Sequence, residues 1–343
     1  MTAELRTRRQ KRHMDASTSS GFATFAGVSR RRATTAGRHP LYIVSKGRWD
    51  TQMTSKALTD MNVPHHVVVE QAEVDLYRER GRALGIDLAE YVVLDPAFQR
   101  DYDALGDFPS PGSGAARNFA WEHSIALGAE WHWVMDDNIQ RFHRFNRNVK
   151  TPVADGTVFR CMEDFCERYE NVAMAGPNYF MFAYAKDDRY PPFYLNTRIY
   201  SCNLIRNDVP FRWRGRYNED TILSLDMLKA GWCTILFMAF LQFKMVTQTM
   251  KGGNTDELYA QGTYDKSKML VDAHPDVASL VWRHERWHHE VDYPRIARHN
   301  VLRRRPDVEV REGVDNYGMI LERIDQQGVW HRMAADEPRY PWE

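Results

Sequence analysis

The sequence predicts an α/β protein with a mixed, mainly parallel central sheet flanked by helices. Short apolar runs alternate with helix-length segments from residue 41 onward, several runs stop abruptly in polar or acidic turns, and no repeat of fixed period interrupts the pattern. Leu41-Tyr42-Ile43-Val44 reads as a buried strand ending at Ser45-Lys46-Gly47-Arg48. A helix-length stretch follows to Met61, then a second strand over 66–70, a second helix over 72–84 and a third strand over 91–94. The loop 108–114 opens a helix over 115–127, which Gly128 stops, and a fourth strand covers 131–135. Further strands are expected over 172–175, 199–205 and 234–240, with a helix over 221–230. Ligands of parallel sheets bind beyond the carboxyl ends of strands, which directs Ser45, Lys46, Arg48, Glu70 and Asp95 toward a cleft.

Composition excludes several classes. No stretch of about 18 apolar residues exists to span a membrane. The four cysteines form no Cys-x-x-Cys pair, which argues against a disulfide scaffold or zinc ribbon and fits a reducing cytoplasm. The 10 Trp and 16 Tyr suit a cleft that stacks rings. The formal net charge is zero, yet residues 1–38 carry nine basic side chains against Glu4 and Asp15. That stretch reads as a basic disordered tail, either simply solvated or an arm for phosphate polymers. The expected organisation is this tail, a catalytic domain over 39–260, and a basic, aromatic helical extension over 261–343 packed on it.

Asp136-Asp137-Asn138 ends the fourth strand. Adjacent carboxylates repel and must be solvated or neutralised. A Mn2+ or Mg2+ ion held by Asp136, Asp137 and Asn138, with diphosphate oxygens completing its shell, answers that demand; a solvated turn or helix cap is the alternative. One helix earlier, Gly112-Ser113-Gly114 opens a helix whose N–H groups favour anions and whose Arg117 offers a phosphate fork. In the segment 211–220, Arg212, Arg214 and Arg216 share one face if the chain is extended, and Glu219-Asp220 open the next helix. A carboxylate there is placed to act as general base, or merely to cap the helix. Lys251 and Asn254 flank two glycines in a segment able to close over a diphosphate, or forming a plain turn.

These pieces, in this order, resemble GT-A glycosyltransferases. The combination Gly-x-Ala-Arg-Asn (Gly114 to Asn118), Trp-x-Trp-x-Met-Asp-Asp-Asn (Trp131 to Asn138) and Arg-Tyr-Asn-Glu-Asp (Arg216 to Asp220) is most similar to the TET-associated glycosyltransferases of bacteriophages. The resemblance implies a GT-A-like, Rossmann-like nucleotide-sugar fold. It also implies transfer of a hexose or pentose from a nucleoside-diphosphate sugar, such as a UDP-sugar, to 5-hydroxymethylcytosine in DNA prepared by a companion dioxygenase. Asp136 and Asp137 then hold donor and metal, Asn138 stands where the family has its second Asp, and Asp220, beside Glu219, is the base. A nucleotidyltransferase or an idle DNA-binding protein on the same fold are the rival readings. His284-Glu285-Arg286-Trp287-His288 also matches the zinc-protease pattern His-Glu-x-x-His, but its polar flanks favour a basic aromatic helix in which Arg283 and His288 meet DNA.

Overall fold

The computed structural model describes residues 37–108, 110–146, 148–184, 190–245 and 263–308. The basic tail before Gly37 and the segment holding Lys251 and Asn254 lie outside them. Strands β1 (Leu41–Val44), β2 (His65–Val69), β3 (Ala89–Val93), β4 (Trp131–Asp136), β5 (Ile139–Asn146), β6 (Val149–Pro152), β7 (Val172–Tyr179), β8 (Phe193–Leu195), β9 (Cys202–Arg206) and β10 (Cys233–Lys244) form a ten-stranded sheet. Its order is β3-β2-β1-β4-β9-β7-β10-β5-β6, with β8 also on β10. β1, β2, β3 and β4 run parallel, as do β7 and β10, and β9 lies antiparallel between β4 and β7. The chain reverses its direction of travel across the sheet between β1 and β4, the switch point at which α/β sheets open a crevice. This is the expected GT-A-like architecture.

The helices are α1 (Met53–Asp60), α2 (Val74–Ala83), α3 (Pro96–Arg100), α4 (Gly114–Ala126), α5 (Thr157–Cys166), α6 (Glu219–Lys229), α7 (Tyr264–Ala273) and α8 (Tyr293–Ala297). They cover both faces, which is why β1, β2 and β4 read as continuous apolar runs. Side chains still alternate with a period of two. Leu41, Ile43, Trp133 and Met135 join Leu58 of α1, Tyr77 of α2 and Phe159 of α5 in one core. Tyr42, Val44 and Val134 join Trp121 of α4, Leu223 of α6 and Trp213 in the other. The alternation continues past the strand end, so Asp136 belongs to the α4–α6 side and Asp137 to the α1–α2 side. No helix among the described residues is long and apolar enough to cross a membrane.

Two expectations for the C-terminal part are corrected. The segment around His-Glu-x-x-His is not helical: β11 (Ala278–Arg283) and β12 (Arg286–Val291) form an antiparallel hairpin. His284 and Glu285, with φ of 51° and 60°, make its two-residue turn, and Trp282 pairs with Trp287 across the strands. Alternating residues satisfy a hairpin, and the helix on which zinc proteases carry their two imidazoles does not form. Among its described residues the extension is therefore helix, hairpin and short helix. It is tied to the sheet by asparagines: Asn171 donates to Val301 O (2.8 Å) and accepts from Arg303 N (2.8 Å), while Asn196 donates to the carbonyls of Ala297 and Asn300 at 3.1 and 2.7 Å. Asn300 in turn donates to Leu228 O and Trp232 O at 2.7 and 2.9 Å.

A buried histidine gives this fold a pH signature. His65 Nδ1–H donates to Val63 O (2.9 Å), which leaves Nε2 to accept from Ser55 Oγ (2.5 Å). Burial pushes its pKa down from 6.5 to about 4. Between those values the unfolded chain binds a proton that the folded chain refuses, so stability falls as pH drops from 6.5 toward 4, by up to about 3 kcal/mol. His65→Gln is expected to flatten the loss of melting temperature between pH 7 and pH 5; parallel profiles for the two proteins would reject this assignment.

Candidate active site

Three segments remote in sequence meet at one guanidinium. Arg117, buried on the first turns of α4, donates from Nη2 to Asp136 Oδ1 (2.5 Å), lies 4.0 Å from Glu219 Oε1 through Nε, and stacks 4.7 Å above the Trp213 ring. Its Nη1 is buried and has no acceptor. Asn118 fixes the neighbouring strap by donating to Trp213 O and accepting from Trp213 N, both at 2.9 Å. Gly114 has a packing reason beyond any phosphate cradle. A Cβ there would stand 1.8 Å from Tyr102 Oη, whose hydroxyl donates to Gly215 O (2.9 Å).

Lys244, the last residue of β10, completes the Asp136 cluster from the other side. Its Nζ donates to Asp136 Oδ2 (2.6 Å) and Ser201 Oγ (2.9 Å), and Ser201 meets Tyr179 Oη at 2.6 Å. Burial alone would raise the Asp136 pKa, but the charges of Lys244 and Arg117 outweigh it and hold the carboxyl well below its usual range. Sequence reasoning missed Lys244, which lies beyond the strand expected over 234–240. A cation ending one buried strand near an anion ending another was the available signal.

Asp137 sits in a separate network. It accepts from Ser45 Oγ (2.7 Å) and from Arg48 Nη1, and the same Ser45 hydroxyl contacts Tyr77 Oη (2.7 Å). Burial raises its pKa despite Arg48 and Ser45. Lys46 pairs with Glu70 at 3.0 Å, and Gln99 donates to Glu70 at 2.9 Å, beyond β1 and β2 as expected. Asp95 instead caps α3, accepting from Ala97 N at 2.8 Å. Thr54 clamps the Asp136–Ile139 link: its hydroxyl donates to Asp136 O (2.7 Å) and accepts from Ile139 N (2.8 Å).

The two carboxylates thus diverge, because consecutive residues of a strand serve opposite faces. Cationic side chains on each face supply the neutralisation for which a metal was invoked. Among the described residues no group of three or more His, Cys, Asp or Glu is arranged to hold a metal ion. Asn138 does keep one feature that suits a hard cation: its Oδ1 is buried without a hydrogen-bond donor. Mg2+ and its like are commonly held by one or two protein oxygens with substrate phosphates filling the shell, so this donor set fits an ion that arrives with a diphosphate.

Glu219 and Asp220 begin α6 after Asn218, which has a left-handed φ of 56° and donates to Lys266 O (2.5 Å). Glu219 accepts from Ser113 Oγ (2.9 Å), and burial, followed by the charge of Asp220, raises its pKa. Asp220 Oδ1 accepts from Thr221 N at 2.7 Å. The arginine row is not a strand. Arg212 pairs with Glu122 at 2.8 Å, Arg214 grips Asp226 through two bonds of 3.0 and 2.9 Å, and Arg216 is buried against Tyr217. Phosphate contact by Arg212 or Arg214 would have to exchange those partners. On the hairpin, Arg283 pairs with Glu290 at 3.3 Å and His288 Nε2 accepts from Arg286 Nε at 3.1 Å.

No curated protein matches the chain. A family model described as TET-Associated Glycosyltransferase matches residues 39–253, which include β1 through β10 and every element that contributes to the Arg117 cluster. The chain belongs to the TET-Associated Glycosyltransferase family and is a glycosyltransferase.

Proposed function

We propose that this enzyme transfers a sugar from a nucleoside-diphosphate sugar, a UDP-sugar in the simplest case, to the hydroxyl of 5-hydroxymethylcytosine in phage DNA. The meeting of Asp136 and Glu219 at Arg117 carries this reading, because it joins an anion-seeking helix start, one strand-end acid and the helix start that bears Asp220 in one site. The donor diphosphate lies over the start of α4, where the helix N–H groups and the Arg117 guanidinium, whose buried Nη1 has no acceptor of its own, answer its charge. Ser45, Arg48 and Asp137, on the opposite side of the β1–β4 crevice, hold the nucleoside. Asn138, with a carboxylate oxygen, would hold a Mn2+ or Mg2+ ion arriving with the donor, and such an ion would supply charge neutralisation to the departing diphosphate.

In an inverting displacement, the acceptor hydroxyl oxygen forms its bond to the anomeric carbon as the bond from that carbon to the diphosphate oxygen breaks. The bonding pair leaves with the nucleoside diphosphate. Asp220 takes the hydroxyl proton, and Glu219 stays bound to Ser113 beside Arg117. In this reading the acceptor hydroxyl is installed upstream by a companion dioxygenase.

The test is incubation with hydroxymethylated DNA and a panel of nucleotide sugars, followed by digestion to nucleosides and mass spectrometry. A hexose or pentose increment on hydroxymethylcytosine is the expected product. A nucleotide increment would assign nucleotidyl transfer instead, and unmodified nucleosides with every donor would remove the DNA acceptor.

A further inference from the structure

A hollow of about 440 Å³ opens between the 3-10 turn Phe180–Phe182, the end of β10 and strand β12. Its walls carry Phe180, Phe182, Phe243 and Trp287, and its cationic members include Lys266 and Arg286. Phe182 is 47% exposed, Phe243 39% and Trp287 37%, so three large rings face solvent in one concavity where a soluble protein ordinarily scatters them. No carboxylate is among the described lining residues. Flat apolar rings beside cationic side chains are the chemistry that receives a base and its phosphates.

The hollow shares a wall with the candidate active site. Lys244 and Tyr179 line it, and both belong to the Asp136 network through Nζ–Oδ2 (2.6 Å) and the Tyr179–Ser201 hydroxyl contact (2.6 Å). On the other flank, His289 lines the hollow and lies 3.4 Å from Arg198, whose guanidinium sits 5.0 Å above Tyr200. Tyr200 stacks on Tyr179 with ring centres 4.9 Å apart and planes within 2°. Asp220 is among the charges felt by both Arg198 and Tyr179, so the base and this wall share one electrostatic neighbourhood.

We infer that this hollow is the acceptor pocket and takes one pyrimidine nucleotide swung out of the DNA stack, its hydroxymethyl group directed inward toward Asp220. The inference rests on the DNA-acceptor reading above. A duplex is too wide for such a space, whereas a single nucleotide matches the few hundred cubic ångströms typical of small-ligand sites. Enzymes that act on a base reach it by this extrusion and stack it between aromatic or apolar side chains. The donor lies on the α4 side of Asp136 and the acceptor on the Lys244 side, so the two substrates approach the same carboxylate cluster from opposite directions.

Phe182→Ala and Trp287→Ala test this in the full chain, with Trp287→Tyr as the variant that keeps a ring. The substrate is duplex DNA with one hydroxymethylcytosine and a neighbouring 2-aminopurine that brightens when its stack opens. Wild type and Trp287→Tyr are expected to brighten the probe and to modify the DNA with similar KM. The alanine variants are expected to raise the KM for DNA about tenfold or more and to lose the fluorescence rise. Donor Kd, measured calorimetrically without DNA, is expected to stay put. Alanine variants with unchanged KM and fluorescence would overturn the pocket, and so would donor affinity falling in step with KM. Wild type that modifies no DNA with any sugar would overturn the acceptor reading and the pocket with it, a result distinct from wild type and variants modifying DNA alike.

Discussion

Asp136→Ala is expected to lower the melting temperature by about 6–20 °C and to abolish measurable donor binding. The carboxylate holds two cations, Arg117 at 2.5 Å and Lys244 at 2.6 Å, in a site where Arg117 is almost wholly buried. Removing one member of a buried ion cluster strands the others without a counter-charge, at about 3–5 kcal/mol. For a domain of this size each kcal/mol corresponds to roughly 2–4 °C. Adding Lys244→Met to Asp136→Ala is expected to restore part of the loss, because one stranded cation disappears with its partner. Since the folded pKa of Asp136 is depressed, its stabilisation is present above the unfolded value of 3.8 and fades as pH falls toward the folded one. A single variant melting within about 2 °C of wild type would show that the cluster contributes little to stability.

Asp220→Asn is expected to cut turnover by about 10²- to 10⁴-fold while leaving donor Kd unchanged, the range associated with losing a positioned general base. The substitution keeps an oxygen for the Thr221 N–H, now 2.7 Å away, so the start of α6 is preserved. Glu219→Gln serves as the contrast. Glu219 sits against Ser113 and Arg117, so its effect is expected in donor affinity more than in the chemical step. Near-normal turnover in Asp220→Asn, with sugar transfer intact in single-turnover measurements, would move the base elsewhere.

The parallel half of the sheet was legible because β1, β2 and β4 are buried on both faces and end in sharp polar turns, as at Val44 to Ser45 and Met135 to Asp136. The same strands placed Ser45, Arg48, Asp136 and Asp137 in the crevice. What the residues did not announce was how those charges pair. Period-two alternation sends Asp136 and Asp137 apart, a consequence available from the sequence once the strand end was placed. Lys244 was harder, since its partner is 108 residues away and only the β10–β7–β9–β4 neighbourhood brings them together. The hairpin at 278–291 was misread as a helix because His-Glu-x-x-His has helical spacing, whereas Trp282 and Trp287 needed a two-residue turn to meet. β5 and β6 passed unnoticed since charged residues interrupt the apolar pattern at Arg141, Arg144 and Lys150.

The asparagine ties between the sheet and residues 297–303 bear on where this enzyme can be cut. The family-matched stretch ends at residue 253, yet the amides of Asn171 and Asn196, both shielded from water, find their oxygen acceptors some 100 residues or more downstream. A version trimmed to the matched boundaries would strip those amides of acceptors at the far end of the sheet and bare the underside of α6 where Asn300 now caps the carbonyls of Leu228 and Trp232. The smallest self-sufficient folding unit is therefore longer than the stretch by which the family is recognised, and its final turn works as a latch.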